Sequence, residues 1–384
     1  MTHEQKAEIM LILDPTTPTM RPPPPPLSPY GTLQGTLFQY STFPSLVAFE
    51  SCPPTVTAAA DEAAALPSKK CILIGGLSDG LLPVPYTKQL ETACHERGWS
   101  LVQPIISSSY LGFGHGSLER DTKEIRYVPT HISGTDTIVC GMHVMVFMRL
   151  AHIPNCIQLS CPILSALMRY LNAHRSGETF ALVGHSTGCQ NSIHFLKNGD
   201  DDMVARTKSV ALQAPVSDRE HAMMEPNYEE NIGLARQMKK DGKGEEMMPR
   251  SAFWAPITAS RFASLQDVGG EDDFFSSDLS DEDMAERLGH VGVWGRKHSG
   301  YLLAAYSGAD EYVPESVEKD KLLERMCGAM NGSDGAKEGD KRPIATPLMI
   351  TTANHNLSEG EGDGEKFVAA VAEQLDALSV AMNK

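Results

Sequence analysis

The chain has 384 residues, 41% hydrophobic and 21% charged, with a formal net charge of −16. This is ordinary globular composition, enough for one large domain or two smaller ones, and it shows no basic face of the kind a nucleic-acid partner requires. No stretch approaches the ~20 apolar residues of a membrane span.

The opening, MTHEQKAEIMLILDP, carries one short apolar run, Ile9 to Leu13, too brief for the core of a signal peptide. Proline-rich TTPTMRPPPPPLSPYG (16–31) follows, and proline fixes φ and removes donors, so residues 1–30 read as a disordered tail and 31–384 as the folded domain. GTLFQYS and SLVAFES, parted by a Phe-Pro turn, read as an antiparallel pair. An Ala-rich connection spans 56–68.

Short apolar runs then recur between breakers: CILIGGL (71–77), SLVQPI (100–105), TFALVG (179–184), SVALQAP (209–215), YLLAAYSG (301–308) and PLMITT (347–352). Helical stretches lie among them at 85–98, 165–175, 189–199 and 317–330. The C-terminal segment sets Phe367, Val371, Leu375 and Leu378 on one helical stripe. Apolar runs alternating with amphipathic helices predict an α/β fold, a mostly parallel doubly wound sheet. Residues 126–161 do not fit the alternation and read as an atypical insert. The cysteines are scattered without a C-x-x-C pair, which predicts reduced thiols and a cytoplasmic protein.

ETFALVGHSTGCQ (178–190) puts Ser186 between Gly184 and Gly188, after a buried strand and before a helix. That is the nucleophile elbow of the α/β-hydrolase fold, which presents a serine oxygen at the carboxyl edge of the sheet. A serine needs a base oriented by a carboxylate, in the chain order Ser, acid, His. Only His355, of 13 histidines, lies beyond residue 298, on the loop after the last apolar run. The loop SGADEYVP offers Asp310 as the acid, with Glu311 as the alternative. Two backbone donors must face the oxyanion: the amide of Thr187 and one from GGLSDG, with Leu77 favoured over Ser78. A nucleotide-loop reading of GGLSDG lacks the G-x-G-x-x-G spacing. No H-E-x-x-H or cysteine-pair set points to a metal, and no cofactor is expected. The stretch GGEDDFFSSDLSDEDMAERLG (269–289) lacks calcium-loop spacing; SDED within it reads as a helix N-terminus with a capping box.

Residues 216–300 separate two strands where hydrolases of this fold carry a cap over the serine. Met223, Met224, Met247, Met248, Phe253, Trp254 and Phe262 serve either an apolar pocket or the core of that cap. Asp272 and Asp273 read either as attractors for amino groups on a ligand or as solvated surface.

The segments GGLSDGLLPVPY, YLGFGHGSLERDTKEI, VGHSTGCQN, LQAPVSDRE, PITASRF, DDFFSSDLSDEDM, SGADEYVP and ANHNLS together resemble the fungal siderophore esterases of the fusarinine C esterase type, over roughly residues 35–384. The resemblance implies a cytosolic serine esterase that opens ester bonds of a hydroxamate siderophore, so that iron is released inside the cell. It carries the nucleophile role to Ser186, the acid to Asp310 and the base to His355. The partner it implies is a small-molecule ester. Residues 126–161 depart from the family, interrupting what elsewhere runs from ERDTKEI into a helix like LSALMRYLNA, and read as an insertion or as retained untranslated sequence. The rival readings are a general carboxylesterase or lipase-like hydrolase, and a non-catalytic binding protein of the same fold.

Overall fold

The computed structural model describes residues 32–42, 44–53, 66–122, 124–125, 160–161, 163–332 and 343–382. The tail at 1–30, most of the connection at 56–68 and residues 126–159 of the insert lie outside them.

The opening pair is β1 (Thr36–Thr42) and β2 (Ser45–Ser51). Then come β3 (Lys69–Ile74), α1 (Thr87–Glu96), β4 (Trp99–Pro104), α2 (Leu118–Thr122), α3 (Ile163–His174), β5 (Thr179–His185), α4 (Thr187–Asn198), α5 (Asp201–Arg206) and β6 (Thr207–Gln213). Between β6 and the next strand run α6 (Asp218–Ala222), α7 (Tyr228–Lys240), α8 (Ala259–Gln266), α9 (Asp281–Leu288) and α10 (His290–His298). The chain closes with β7 (Tyr301–Ser307), α11 (Lys319–Asn331), β8 (Ala345–Ile350) and α12 (Asp363–Met382).

The strands form one sheet in the order β1-β2-β4-β3-β5-β6-β7-β8. β1 and β2 pair antiparallel, as does β2 with β4, and the remaining pairs are parallel. The central runs lack polar alternation because both faces are covered: every residue of β5 is buried. β8 starts at Ala345, before the PLMITT run predicted from sequence, and takes in Pro347. Among the described residues β8 pairs with β7 alone, so it is an edge strand, where proline's missing N–H costs no ladder bond.

One face of the sheet is covered by α1 and α12, with Leu90, Phe367, Val371, Leu375 and Leu378 buried against Leu73, Leu101 and Val183. Full burial of each such side chain contributes about 1.5–3 kcal/mol, which is why the C-terminal stripe was readable as a helix. The other face packs Leu167 and Leu171 of α3, Ile193 of α4, Trp294 of α10 and Met326 of α11. A third cluster joins Ala222, Tyr228, Ile232, Met248, Ile257 and Phe262 to Phe113 of the core, so the segment between β6 and β7 has apolar packing of its own.

Ser280 caps α9, accepting from the Asp283 amide at 3.0 Å, while its hydroxyl donates to the Asp283 carboxylate at 2.8 Å. The acidic stretch therefore does local work at a helix N-terminus. At the insert, Glu124–Ile125 pairs antiparallel with Ser160–Cys161, so the chain leaves and returns at neighbouring points.

Candidate active site

β5 ends at His185 and α4 begins at Thr187, leaving Ser186 alone to make the corner, with φ 52° and ψ −123°. This backbone conformation is costly for a side-chain-bearing residue, of order 1–3 kcal/mol. The surroundings enforce it. The Ser186 amide donates to the Gln213 carbonyl at 3.0 Å, and the Ser186 carbonyl accepts from Cys189 at 2.8 Å. A Cβ on Gly184 would lie 2.4 Å from the Gly188 carbonyl oxygen, and one on Gly188 would lie 2.4 Å from that of Ile74. Both glycines are thus required by close backbone approach rather than by a positive φ.

Asp310 follows β7 and His355 follows β8. The Asp310 carboxylate holds His355: Nδ1 donates to Oδ2 at 2.8 Å, with the carboxylate fully buried. The other oxygen, Oδ1, accepts from the Tyr312 amide at 3.0 Å. Glu311, the alternative acid, does something different: its Oε2 accepts the backbone N–H of His355 at 2.9 Å. The imidazole lies between two rings, with centroids 4.6 Å from Tyr312 and 5.0 Å from His185. Ser186 and His355 line one cavity of about 660 Å³, together with Gly76, Leu77, Ser78 and Asp79 of the loop after β3.

That loop presses on the serine. A Cβ on Gly76 would come within 2.7 Å of the Ser186 Cβ. The Gly76 amide is committed to Asp79 Oδ2 at 2.7 Å, so this N–H is taken. Leu77, next in line, borders the cavity. Burial raises the Asp79 carboxyl above its usual range, with the Gly76 bond opposing. Thr187 stands at the first position of α4, where its amide has no carbonyl one turn back.

Four residues here escaped the sequence reading: Asp79, His185, Gln213 and Tyr312. Gln213 carried a signal, a polar side chain closing an otherwise apolar strand in SVALQ, and it is fully buried. His185 is buried and its imidazole pKa is driven down to about 3, chiefly by loss of hydration and then by His355 nearby. It is neutral.

The segment between β6 and β7 lines the cavity with Ala222, Tyr228, Phe253, Trp254 and Phe262. Met248 and Phe262 also belong to its own packing, whereas Met223, Met224 and Met247 are exposed. The readings of Asp272 and Asp273 are corrected. Both are only 3% exposed: Asp272 pairs with Arg261 at 2.6 Å and Asp273 with Arg219 at 3.0 Å. Buried carboxylates demand such partners, so these are fasteners within the fold and not ligand attractors on its surface.

The strand order, the serine corner and the carboxylate-held histidine define an α/β-hydrolase. Over residues 28–149 and 163–376 the chain matches the family described as "Protein of unknown function (DUF1749)", and it belongs to that family. It is similar to UPF0613 protein PB24D3.06c of Schizosaccharomyces pombe, with 34% identity over 270 residues, 66% of this chain and 72% of that protein. It is also similar to the fusarinine C esterase sidJ of Aspergillus fumigatus, with 28% identity over 373 residues, 87% and 92% of the two chains. Among solved structures, the siderophore hydrolase EstB from Aspergillus fumigatus superposes with a TM-score of 0.63 at 27% identity, covering 91% of this chain and 99% of that one. These likenesses and the fold bear out the resemblance to fungal siderophore esterases and make the chain a hydrolase of carboxylic esters.

Proposed function

We propose that this chain is a serine esterase acting on the ester bonds of a hydroxamate siderophore of the fusarinine C type, in the cytoplasm, where ester cleavage aids release of the bound iron. The observation that carries the chemistry is the juxtaposition in one cavity of Ser186, at a strained corner, with a His355 held by Asp310 at 2.8 Å. In this reading His355 Nε2 takes the Ser186 hydroxyl proton as the oxygen attacks the ester carbonyl carbon. The resulting oxyanion is held by the amides of Thr187 and Leu77. The ester's alcohol leaves with the proton from His355, and a water repeats the sequence on the acyl-serine.

The substrate class is supported by the two siderophore-acting relatives. The cavity agrees with it. It is wide, and it mixes aromatic faces, Phe253, Trp254 and Tyr312, with the carboxyls of Asp79, Asp218, Glu225 and Glu311. That lining suits a bulky ligand with polar and apolar parts better than a long acyl chain. The segment 216–300 serves as its cap. The cytoplasmic assignment is supported by the free cysteines Cys52, Cys71, Cys94, Cys189 and Cys327. Among the described residues no helix is long and apolar enough to cross a membrane.

The test is mass spectrometry of a fusarinine-type siderophore after incubation with purified protein. Addition of water and linear fragments, both abolished by Ser186→Ala, are expected. Intact siderophore beside brisk cleavage of lipid or simple acyl esters would reassign the protein to the general esterases. Ligand binding with no fluorophosphonate labelling of Ser186 would leave a binding protein.

A further inference from the structure

One residue meets the elements that carry all three candidate reacting groups. Gln213 ends β6 and is fully buried. Its backbone carbonyl accepts the Ser186 amide at 3.0 Å. Its Oε1 accepts the Tyr86 hydroxyl at 3.2 Å and lies 2.6 Å from His185 Nδ1, the residue before the serine. Its Nε2 donates to the His355 carbonyl at 2.9 Å and to the hydroxyl of Ser307, the last residue of β7 before the Asp310 loop, at 3.4 Å. Both ends of the amide are therefore occupied.

The chemistry of the neighbours allows one orientation. The His355 carbonyl can only accept, so the amide NH₂ must face it, and Oε1 must face Tyr86 and His185. It follows that the His185 proton is on Nδ1. A neutral His185 matters, because the rings of His185 and His355 are 5.0 Å apart. His355 must become a cation in the transition state, and a second fixed cation at that range would oppose it.

We propose that Gln213 is the positioning residue that holds the serine corner, the acid loop and the base loop in one register, a role that rests on the serine-esterase reading above. It does not line the cavity. Its loss should therefore lower kcat and leave KM alone. Misplacement of a reacting group by about 1 Å costs on the order of 100-fold in rate.

Two variants test this, assayed on a small ester with rates expressed per site titrated by a fluorophosphonate, so that unfolded protein is not counted. Gln213→Leu should lower kcat about 10–100-fold with KM within about twofold. Gln213→Glu keeps the shape. As a neutral acid, its hydroxyl replaces the lost donor to the His355 carbonyl; as a carboxylate, it repels that carbonyl. The groups facing position 213 are Tyr86 from α1, Cys189 from α4, His185 from the corner, and His355 with Asp310 behind it. Burial keeps Tyr86 and Cys189 protonated and His185 neutral. Wild type and variant share every one of these groups, so the ratio of their rates isolates position 213. Burial without a cationic partner raises that carboxyl toward about pH 8–9, so the ratio should lie near unity at about pH 5 and fall about 10–100-fold by about pH 9.5.

A ratio independent of pH, or a Gln213→Leu enzyme with wild-type kcat per titrated site, would overturn the assignment. Should the leucine variant fail to fold, the glutamate ratio decides alone. Failure of the serine reading shows up separately, as a Ser186→Ala protein that still hydrolyses the ester.

Discussion

Replacing Asp310 by Asn separates the two adjacent carboxylates more sharply than removing either. Asp310 uses both oxygens: Oδ1 takes the Tyr312 amide at 3.0 Å and Oδ2 takes His355 Nδ1 at 2.8 Å. An Asn has one acceptor and one donor. The Tyr312 N–H will claim the acceptor, because the reverse orientation sets two donors against each other. The new NH₂ then points at His355 Nδ1 and forces the proton onto Nε2, the nitrogen that accepts from Ser186 in the proposed mechanism. Inverting the tautomer of a triad histidine costs on the order of 10³–10⁴ in kcat, equivalent to about 4–5.5 kcal/mol of barrier. Glu311 accepts a backbone N–H from His355 at 2.9 Å, a bond that Gln can also accept. Glu311→Gln should therefore lose less than about tenfold, a neutral hydrogen bond being worth roughly 1 kcal/mol. Initial rates on a chromogenic ester, with both variants at one pH, give the comparison. Equal losses, or an Asp310→Asn enzyme that keeps more than about a tenth of the rate, would refute the assignment of the acid.

Ser186→Ala should lose kcat by several orders of magnitude and fluorophosphonate labelling altogether, while Ser186→Gly should be equally inactive yet more stable than the alanine variant by about 1 kcal/mol in urea unfolding, because φ 52° with ψ −123° strains every residue but glycine. Burial raises the Asp121 carboxyl to about pH 6, outweighing its Ser108 bond, so the folded protein holds a proton there that the unfolded chain gives up near pH 4; stability is then lost as pH rises from about 4 to 6. Asp121→Asn should accordingly raise the Tm at pH 8, by up to about 3 kcal/mol in equivalent stability, and change it little at pH 4. Arg261→Met strands the buried carboxylate of Asp272 and should cost about 3–5 kcal/mol by denaturant unfolding.

The sheet was legible because its evidence is local. Apolar runs closed by glycine or proline mark strands covered on both faces, and the stripe Phe367, Val371, Leu375 and Leu378 marks the last helix. Ser186, Asp310 and His355 could be proposed together because the fold orders serine, acid and histidine along the chain, whereas only the structure shows that Asp310 meets the imidazole and Glu311 the His355 backbone N–H. What sequence could not show is the work of residues joined across the sheet. Gln213 meets His355 from 142 positions away, and neither residue's neighbours along the chain hint at the other. Asp272 and Asp273 misled for the same reason: a run of acids looks solvated until Arg261 and Arg219, contributed by two other helices, are folded on top of it.

Those arginines also bear on how a substrate arrives. Arg261 to Asp272, Arg219 to Asp273 and Asp278, and Arg325 to Asp281 and to the carbonyls of Ser277 and Leu279 stitch the covering segment to itself and to the body of the protein. To split the proposed cap internally, the protein would have to part the buried pairs Arg261–Asp272 and Arg219–Asp273, at about 3–5 kcal/mol for each one broken, and to lift it whole it would have to part the contacts of Arg325. Opening of that kind would be a rare event on the scale of a turnover. A dissolved ester would then enter past Trp254 and Tyr312, the most exposed of the aromatic rings that line the cavity. An emulsion droplet or micelle, offering a surface instead of a dissolved molecule, has nothing here to trigger. The rate should follow the dissolved ester smoothly, without the jump at the solubility limit by which interface-activated lipases announce themselves.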